Sequence, residues 1–351
     1  MTEEKVLAAL STVMDPDLHR DLVSLGMIKD LKVNGSKVAF SVELTTPACP
    51  LKAKIENDCR QALASLPGVE EIKINMTART TAAKTDKEPV KGVKNIFAVS
   101  SGKGGVGKST VAVNLALALQ RSGAKVGLMD SDAYGPNIPI MLGSTAQPII
   151  KGDMLIPPEV FGLKMMSVGL IAPGDTPVVW RGPMLHSLVQ QFLRNVIWGE
   201  LDYLVVDMPP GTGDAQLSLS HLAPLAGAVM VTTPQLVAQA DVKRAIMMFR
   251  KVEVPVLGVL ENMSYFLCPD NNKHYAIFGS GGGEVLAREY EIPFLGRIPI
   301  DPRIAESGDK GKPIVVALPD SPIAAEFMKA AELVAQQISI ANANRPLPVL
   351  S

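Results

Sequence analysis

An α/β fold, with a mostly parallel sheet wound on both faces by helices and a small α+β unit ahead of it, is what this sequence predicts. Three observations carry the prediction. The stretch "KNIFAVSSGKGGVGKSTVAVNLALALQ" runs a strand into a glycine-rich loop and then a helix. The later strands, such as "YLVVD" and "GAVMVTT", are near-continuous apolar runs, the pattern of strands covered on both faces. Ahead of them, by contrast, two alternating strands flank Asn34-Gly35, a strong hairpin signal.

The elements follow in order. In the N-terminal unit, expected over residues 1–76, "KVLAALSTV" reads as a helix, "MIKDLKV" and "KVAFSVEL" as the hairpin strands, "LKAKIENDCRQALASL" as a second helix and "VEEIKINM" as a closing strand. In the second helix Leu51, Ile55, Cys59, Leu63 and Leu66 recur at spacings of three and four, which turns Cys59 into the core. Residues 77–93 are polar, rich in Thr, Ala and Lys, and lack periodicity, so they read as a flexible linker. From 94 to 351 the rhythm becomes strand, helix, strand. "STVAVNLALALQRSG" ends on Gly123, where a helix C-cap belongs, and "KVGLMDSD", "YLVVDMPP", "GAVMVTTP", "VPVLGVLEN" and "PFLGRIP" supply further strands. In "LHSLVQQFLRNVIW" the residues Leu185, Leu188, Val189, Phe192, Val196 and Ile197 share one side, which is read as a packing face. The last helix, "PIAAEFMKAAELVAQQISIA", lacks a Lys/Arg-rich polar face, so docking on the sheet is expected and not membrane binding.

Composition narrows the function classes. At 351 residues and 47% hydrophobic, the chain can bury a large domain with an appendage. A formal net charge of -1 provides no global field to gather nucleic acid or anionic lipid, and neither is an expected partner. The acidic start lacks the order of a secretory signal, and no apolar run reaches the roughly 18–20 residues of a membrane span, so a cytoplasmic protein is expected. Cys49, Cys59 and Cys268 are too few and scattered for a disulfide framework, and any special role would be as thiolates. His19, His186 and His221 have no partner at metal-ligand spacing and are read as structural.

The loop has the form G-x-x-x-x-G-K-[ST] at Gly102, Gly107, Lys108 and Ser109, in the strand-to-helix context this phosphate-binding pattern needs. The backbone of Gly102, Lys103, Gly104, Gly105, Val106 and Gly107 curls so that successive N–H groups, continuing into Lys108, Ser109 and Thr110, face phosphate oxygens. Lys108 is expected to reach the β- and γ-phosphates of ATP and Ser109 to ligate Mg²⁺. Asp207, ending an apolar strand, is a candidate for the magnesium shell. Asp130 and Asp132 end another strand. Asp130 is assigned to the metal shell and Asp132 to the attacking water. The second lysine, Lys103, is surplus to one phosphate cradle. Its charge is most useful against a γ-phosphate held by another subunit.

"GKGGVGKST" resembles the deviant Walker A class, which includes nitrogenase iron protein, MinD and ParA. That resemblance implies a homodimeric P-loop NTPase that sandwiches ATP, with Lys103 acting across the interface and with slow, Mg²⁺-dependent hydrolysis. Further stretches, "DSDAYGPNIPIMLG", "WRGPM", "DYLVVDMPPGTGD", "GVLENMSYF" and "IFGSGGGEVLA", resemble the Mrp/ApbC family of iron–sulfur cluster carriers from about Lys94 onward. "DPDLHRDLVSLGMI" and "TTPACP" resemble the iron–sulfur assembly domain often fused to it. The resemblance implies an ATPase that binds a cluster, typically [4Fe–4S], exchanges it with scaffold proteins and apo-proteins, and contacts adenine through Asn262 with Pro299 near the base. A MinD- or ParA-like positioning ATPase and a nucleotide-gated adaptor are the alternatives.

One departure from the family stands out. Members commonly carry C-x-x-C after "NMSYF", where this chain has Cys268 but Asn271 three positions on. Two subunits then offer two thiolates, fewer than a four-ligand cluster needs. Three resolutions are open: other ligands such as His274 or a small molecule, sharing with Cys49, or loss of stable cluster binding. Cys49 precedes Pro50, a favoured first helical residue, and a helix N-terminus there is expected to lower its thiol pKa.

Overall fold

The computed structural model describes residues 1–82, 87–171, 182–271 and 273–344. The N-terminal unit contains α1 (Glu3–Leu10), β1 (Ile28–Asn34), β2 (Lys37–Leu44), α2 (Lys52–Ala64) and β3 (Glu71–Ala78). β1 and β2 pair antiparallel and β3 lies parallel to β2. The hairpin forms where expected, but its loop is Gly35–Ser36, one residue on from the Asn-Gly signal, with Gly35 supplying φ +62. Ile55, Cys59 and Leu63 are buried in this unit's own core.

The larger unit is built on a sheet of eight strands among the described residues. Its parallel strands are β4 (Val93–Ser101), β5 (Val126–Asp130), β6 (Leu163–Ser167), β7 (Leu201–Asp207), β8 (Leu225–Thr232), β9 (Val256–Glu261) and β10 (Phe294–Arg297). Their spatial order is β6-β5-β7-β4-β8-β9-β10, and the short strand Glu159–Val160 closes the β6 edge antiparallel. The helices are α3 (Lys108–Arg121), α4 (Gly182–Arg194), α5 (Asp214–Leu222), α6 (Leu236–Lys251), α7 (Gly282–Glu289), α8 (Pro302–Asp309) and α9 (Pro322–Asn344).

The pleat explains the two-sided winding. Along β4, Phe97 and Val99 enter a core shared with α3 and α9, whereas Ile96 and Ala98 enter one shared with α4, α5 and α6. Both faces therefore need apolar side chains, as the uninterrupted runs predict. α3 stops at Ser122, and Gly123 follows with φ +97, the left-handed residue that terminates a helix. α9 docks on the sheet through Phe327, Ala331, Val334 and Ile338, as expected. In α4 the predicted face is buried, but Ile197, beyond the helix end, is 39% exposed and does not belong to it.

Residues 77–93 depart from a free tether wherever they are described. Thr77 and Ala78 extend β3, Thr80 and Val90 are buried, and the Thr81 carbonyl accepts a hydrogen bond from Asn95 Nδ2 at 2.8 Å. Arg194 Nη1 donates to the Pro89 carbonyl at 3.1 Å. Polar composition hid these contacts because backbone carbonyls make several of them, beside the Glu88–Arg194 ion pair at 3.1 Å. The "WR" of "WRGPM" and residues 345–351 lie outside the described residues. Among the described residues no helix is long and apolar enough to cross a membrane.

Candidate nucleotide site

β4, β5 and β7 are parallel neighbours, so their C-terminal ends reach one edge of the sheet. Register pairs Asp207 with both Val99 and Asp130, which sets the two carboxylates side by side. The loop after β4 crosses this edge, where order reverses about β4 and ligands of such sheets bind.

Two glycines shape the loop. Gly107 is the N-cap of α3 with φ +79, and a Cβ there would sit 2.2 Å from Asn262 Nδ2. Gly105 has φ +80 but open space around it. Gly105→Ala therefore meets only the left-handed penalty of about 1–2 kcal/mol, whereas Gly107→Ala adds a clash and is expected to lose well over about tenfold in nucleotide affinity. Calorimetric titration of both variants with ADP checks that order. Gly102 serves packing: a Cβ there would lie 2.1 Å from the Asp241 carbonyl carbon of α6.

Charge is concentrated beneath the loop. Lys108 is buried, with Nζ 2.6 Å from Asp207 Oδ1 and 3.9 Å from Asp132 Oδ2. It also donates to Ser109 Oγ at 3.2 Å, and Ser109 Oγ donates to Asp207 Oδ2 at 2.6 Å. Asp130 is fully buried. Its Oδ2 accepts from Ser167 Oγ at 2.8 Å and its Oδ1 from the Asp132 N–H at 3.1 Å. Burial, then the neighbouring Asp207, pushes the Asp130 carboxyl up to about 8. Burial also raises the Asp207 carboxyl, against the pull of Lys108. Asp132 accepts the N–H groups of Tyr134 and Gly135 through Oδ1, both at 3.3 Å.

Above the loop lies a cleft of about 220 Å³ lined by Lys103, Gly104, Gly105, Gly107, Lys108, Ser109, Thr110 and Asp132. Asn137, Met141 and Pro210 also line it and were not singled out from sequence, although "DSDAYGPN" and "MPPG" stood out as stretches. Val106 is buried behind the loop. Lys103 is half-buried and its side chain has no hydrogen-bond or ion-pair partner among the described residues. Asp130 does not line the cleft. Its two oxygens serve Ser167 and the Asp132 backbone, one layer below.

Asn262 sits under the loop. Its Nδ2 donates to the Val106 carbonyl at 2.8 Å, so in this structure it braces the phosphate loop. Pro299 is buried beside it, because Ile298 donates to the Glu261 carbonyl and accepts from the Ser264 N–H.

The cysteines are placed apart from this cleft. Cys268 is half-buried at the end of the short strand Phe266–Leu267, and its N–H bonds the Lys273 carbonyl at 3.0 Å. His274 pairs across from Leu267 and stacks on Tyr265 with centroids 4.6 Å apart, a contact made by the ring face and not by its nitrogens. No group of three or more His, Cys, Asp or Glu side chains suited to a metal occurs among the described residues. For Cys49 the helix-terminus expectation fails. α2 begins at Lys52, and burial, with Asp17, Asp15 and Glu332 nearby, pushes the thiol up to about 11.

Comparison with known proteins adds identity to this geometry. Residues 92–335 match the family profile described as NUBPL iron-transfer P-loop NTPase, and residues 3–74 that described as iron-sulfur cluster assembly protein. An iron-sulfur cluster carrier protein of Synechocystis is 50% identical over 349 residues, 97% of this chain and 99% of that protein. One of Deinococcus radiodurans is 50% identical over 352 residues, 99% of each. Among solved structures, a nucleotide-binding protein of Archaeoglobus fulgidus in complex with ADP is 39% identical, with TM-score 0.57 over 64% of this chain and 88% of that one. MinD of Pyrococcus horikoshii, at 24% identity and TM-score 0.52 over 68% of this chain and 94% of that one, shares the fold.

Proposed function

We propose, from the premise that this chain belongs to the family of NUBPL iron-transfer P-loop NTPases, that it hydrolyses ATP to govern the uptake and release of an iron–sulfur cluster destined for apo-proteins. The observation that carries the ATPase half is the convergence of Lys108, Ser109, Asp132 and Asp207 under one phosphate loop. The relatives named as cluster carriers support the other half.

The roles follow from position. The N–H groups of the loop and of the first turn of α3 cradle the β- and γ-phosphates. Lys108 leaves Asp207 to meet the incoming phosphate, a transfer of one cation between two anionic partners. Ser109 and Asp207 present adjacent hard oxygens suited to magnesium, and Asp130 holds the Asp132 backbone from below. When bound, magnesium supplies positive charge to the β- and γ-phosphate oxygens. Asp132, which lines both the phosphate-loop cleft and a second cavity with Pro209, Pro210 and Gly213, orients water at the γ-phosphate.

A homodimer completes the site. Leu236 and Val237 are 81% and 67% exposed at the start of α6, the helix that packs on Gly102 at the base of the phosphate loop, and so offer an apolar patch. A second copy seated there supports the reading of Lys103 as the amine given in trans. The positioning-ATPase alternative calls for a basic amphipathic helix, and α9 instead ends without a basic residue and buries its apolar side on the sheet.

The cluster is proposed as [4Fe–4S], which takes four ligands. Two Cys268 thiolates of a dimer supply two. Cys49 is walled in by another set of residues, which leaves external ligands, or His274 through ring nitrogens that its stack on Tyr265 does not use, for the remainder. Anaerobic reconstitution of Cys268→Ala, with iron and sulfide counted and the visible spectrum recorded, is expected to give only the metal of the blank while nucleotide binding persists. Wild-type cluster content in that variant removes Cys268 from the site.

A further inference from the structure

We infer that the contact between the N-terminal unit and the ATPase unit is a latch that shelters Cys49, whose thiol becomes reactive when the two units part. This goes beyond the carrier reading and stands or falls without reference to turnover or cluster content.

The loop 45–50 is inserted into the larger unit. Tyr203 Oη, fully buried at the start of β7, donates to Thr46 Oγ1 at 2.8 Å, and Thr46 is itself 2% exposed. Ala48 packs in the core around α3 and α9 and not in the core of its own unit. Pro47 Cβ lies 3.9 Å from where a Cβ on Gly123 would stand, at the point where α3 ends. From the other side, Gln336 Nε2 on α9 donates to Asp17 Oδ1 at 2.7 Å.

Cys49 lies in the crevice these contacts close. Its neighbours there include Asp15, Asp17 and Thr46 from its own unit and Gln336 and Ser339 from α9. The crevice holds about 10 Å³, at the lower limit for a single water, so while the seam is shut no reagent reaches the half-buried Cys49 through it. Burial acts first against the thiolate, and the carboxylates of Asp17, Asp15 and Glu332 add to it, outweighing a hydrogen bond from the Leu51 N–H that favours the charged form. Parting the units removes the α9 wall and Glu332 and opens the crevice to water.

The latch is thin and its parts are separable. Two hydrogen bonds, Tyr203–Thr46 and Gln336–Asp17, hold its two sides, and Ala48 fits only because it is small. A larger side chain at 48 is excluded by the ATPase core but not by the core of its own unit.

The test uses the full chain, N-ethylmaleimide at neutral pH and peptide mass spectrometry to read each cysteine separately. Two variants open the seam by different means: Tyr203→Phe combined with Gln336→Ala removes the hydrogen bonds, and Ala48→Trp drives a wedge. Return of the thiol from about 11 toward its ordinary 9.0 raises the thiolate fraction, partly offset by lower nucleophilicity. The expected net gain in Cys49 alkylation rate is about tenfold, before any gain from access. Cys59, fully buried in the N-terminal core, stays unmodified if that unit remains folded, and small-angle scattering of Ala48→Trp shows a larger radius of gyration. A Cys49 rate unchanged in both variants, or a wild-type Cys49 as reactive as Cys268, overturns the inference.

Discussion

Lys108→Ala is expected to abolish ATP turnover to within measurement, a loss of at least about 10²–10³-fold, the range seen when a single transition-state donor is removed. The effect has a second part that the surroundings of Lys108 make specific. Asp207 has 1% of its side chain exposed and has Lys108 as its cation, with Asp130 and Asp132 close by. Removing one partner of such a buried pair costs about 3–5 kcal/mol when the other stays charged. Burial already raises the Asp207 carboxyl, so without the amine it takes up a proton and recovers part of that cost. The sign follows. A carboxyl whose folded pKa exceeds its unfolded value gives its full stability below the unfolded pKa and loses it as pH rises through the folded one. The variant should therefore fall further behind the wild type at pH 8 than at pH 6 in thermal unfolding. Equal deficits at both values would mean that Asp207 remains charged in the folded variant.

What the sequence disclosed and what it concealed divide by the range of the interaction. The phosphate loop, its flanking strand and helix, and the acid at the end of β7 were legible because spacing within a dozen residues determines them. The two-sided cores were legible because both faces of each strand carry apolar side chains. Asp130 was found, but its partner was not, since only the alignment of β5 with β6 brings Ser167 onto its carboxylate. Asn262 was found through family likeness, but the bond of its amide to the Val106 carbonyl, 156 residues away in sequence, was not legible. Cys49 shows the same limit most plainly. Pro50 next to an amphipathic run is a sound local signal for a helix start. The helix begins two residues later, and the thiol packs against its own unit's core while Gln336, Ser339 and Glu332 approach it from the far unit. No periodicity in residues 45–50 encodes that neighbour.

Lys103→Ala should reduce turnover by about 10³-fold or more, the effect of removing a cation supplied to the γ-phosphate in trans. Two facts separate this lysine from its neighbour. Lys108 is held in place by Asp207, whereas Lys103 is fixed only through its carbonyl, which accepts from Ser101 Oγ at 2.9 Å, and its side chain has no partner within the described residues. An unpaired amine at the rim of an anion-binding cleft has an electrostatic reason to seek a second ligand, and the exposed Leu236 and Val237 nearby give a second chain a surface to rest on. If Lys103 served its own nucleotide, the variant would bind ATP more weakly and would have no remedy. In the proposed dimer it binds ATP with undiminished affinity as a single chain, and its defect can be complemented. Mixing Lys103→Ala with Asp132→Asn, each inactive alone, gives mixed pairs in which the first chain keeps its own Asp132 and receives Lys103 from the second. With random pairing, half the dimers are mixed and one of their two sites works, so roughly a quarter of wild-type turnover should return. No recovery, in a mixture shown by native mass spectrometry to contain mixed pairs, would assign Lys103 to its own chain and leave the nucleotide without control over how two copies meet.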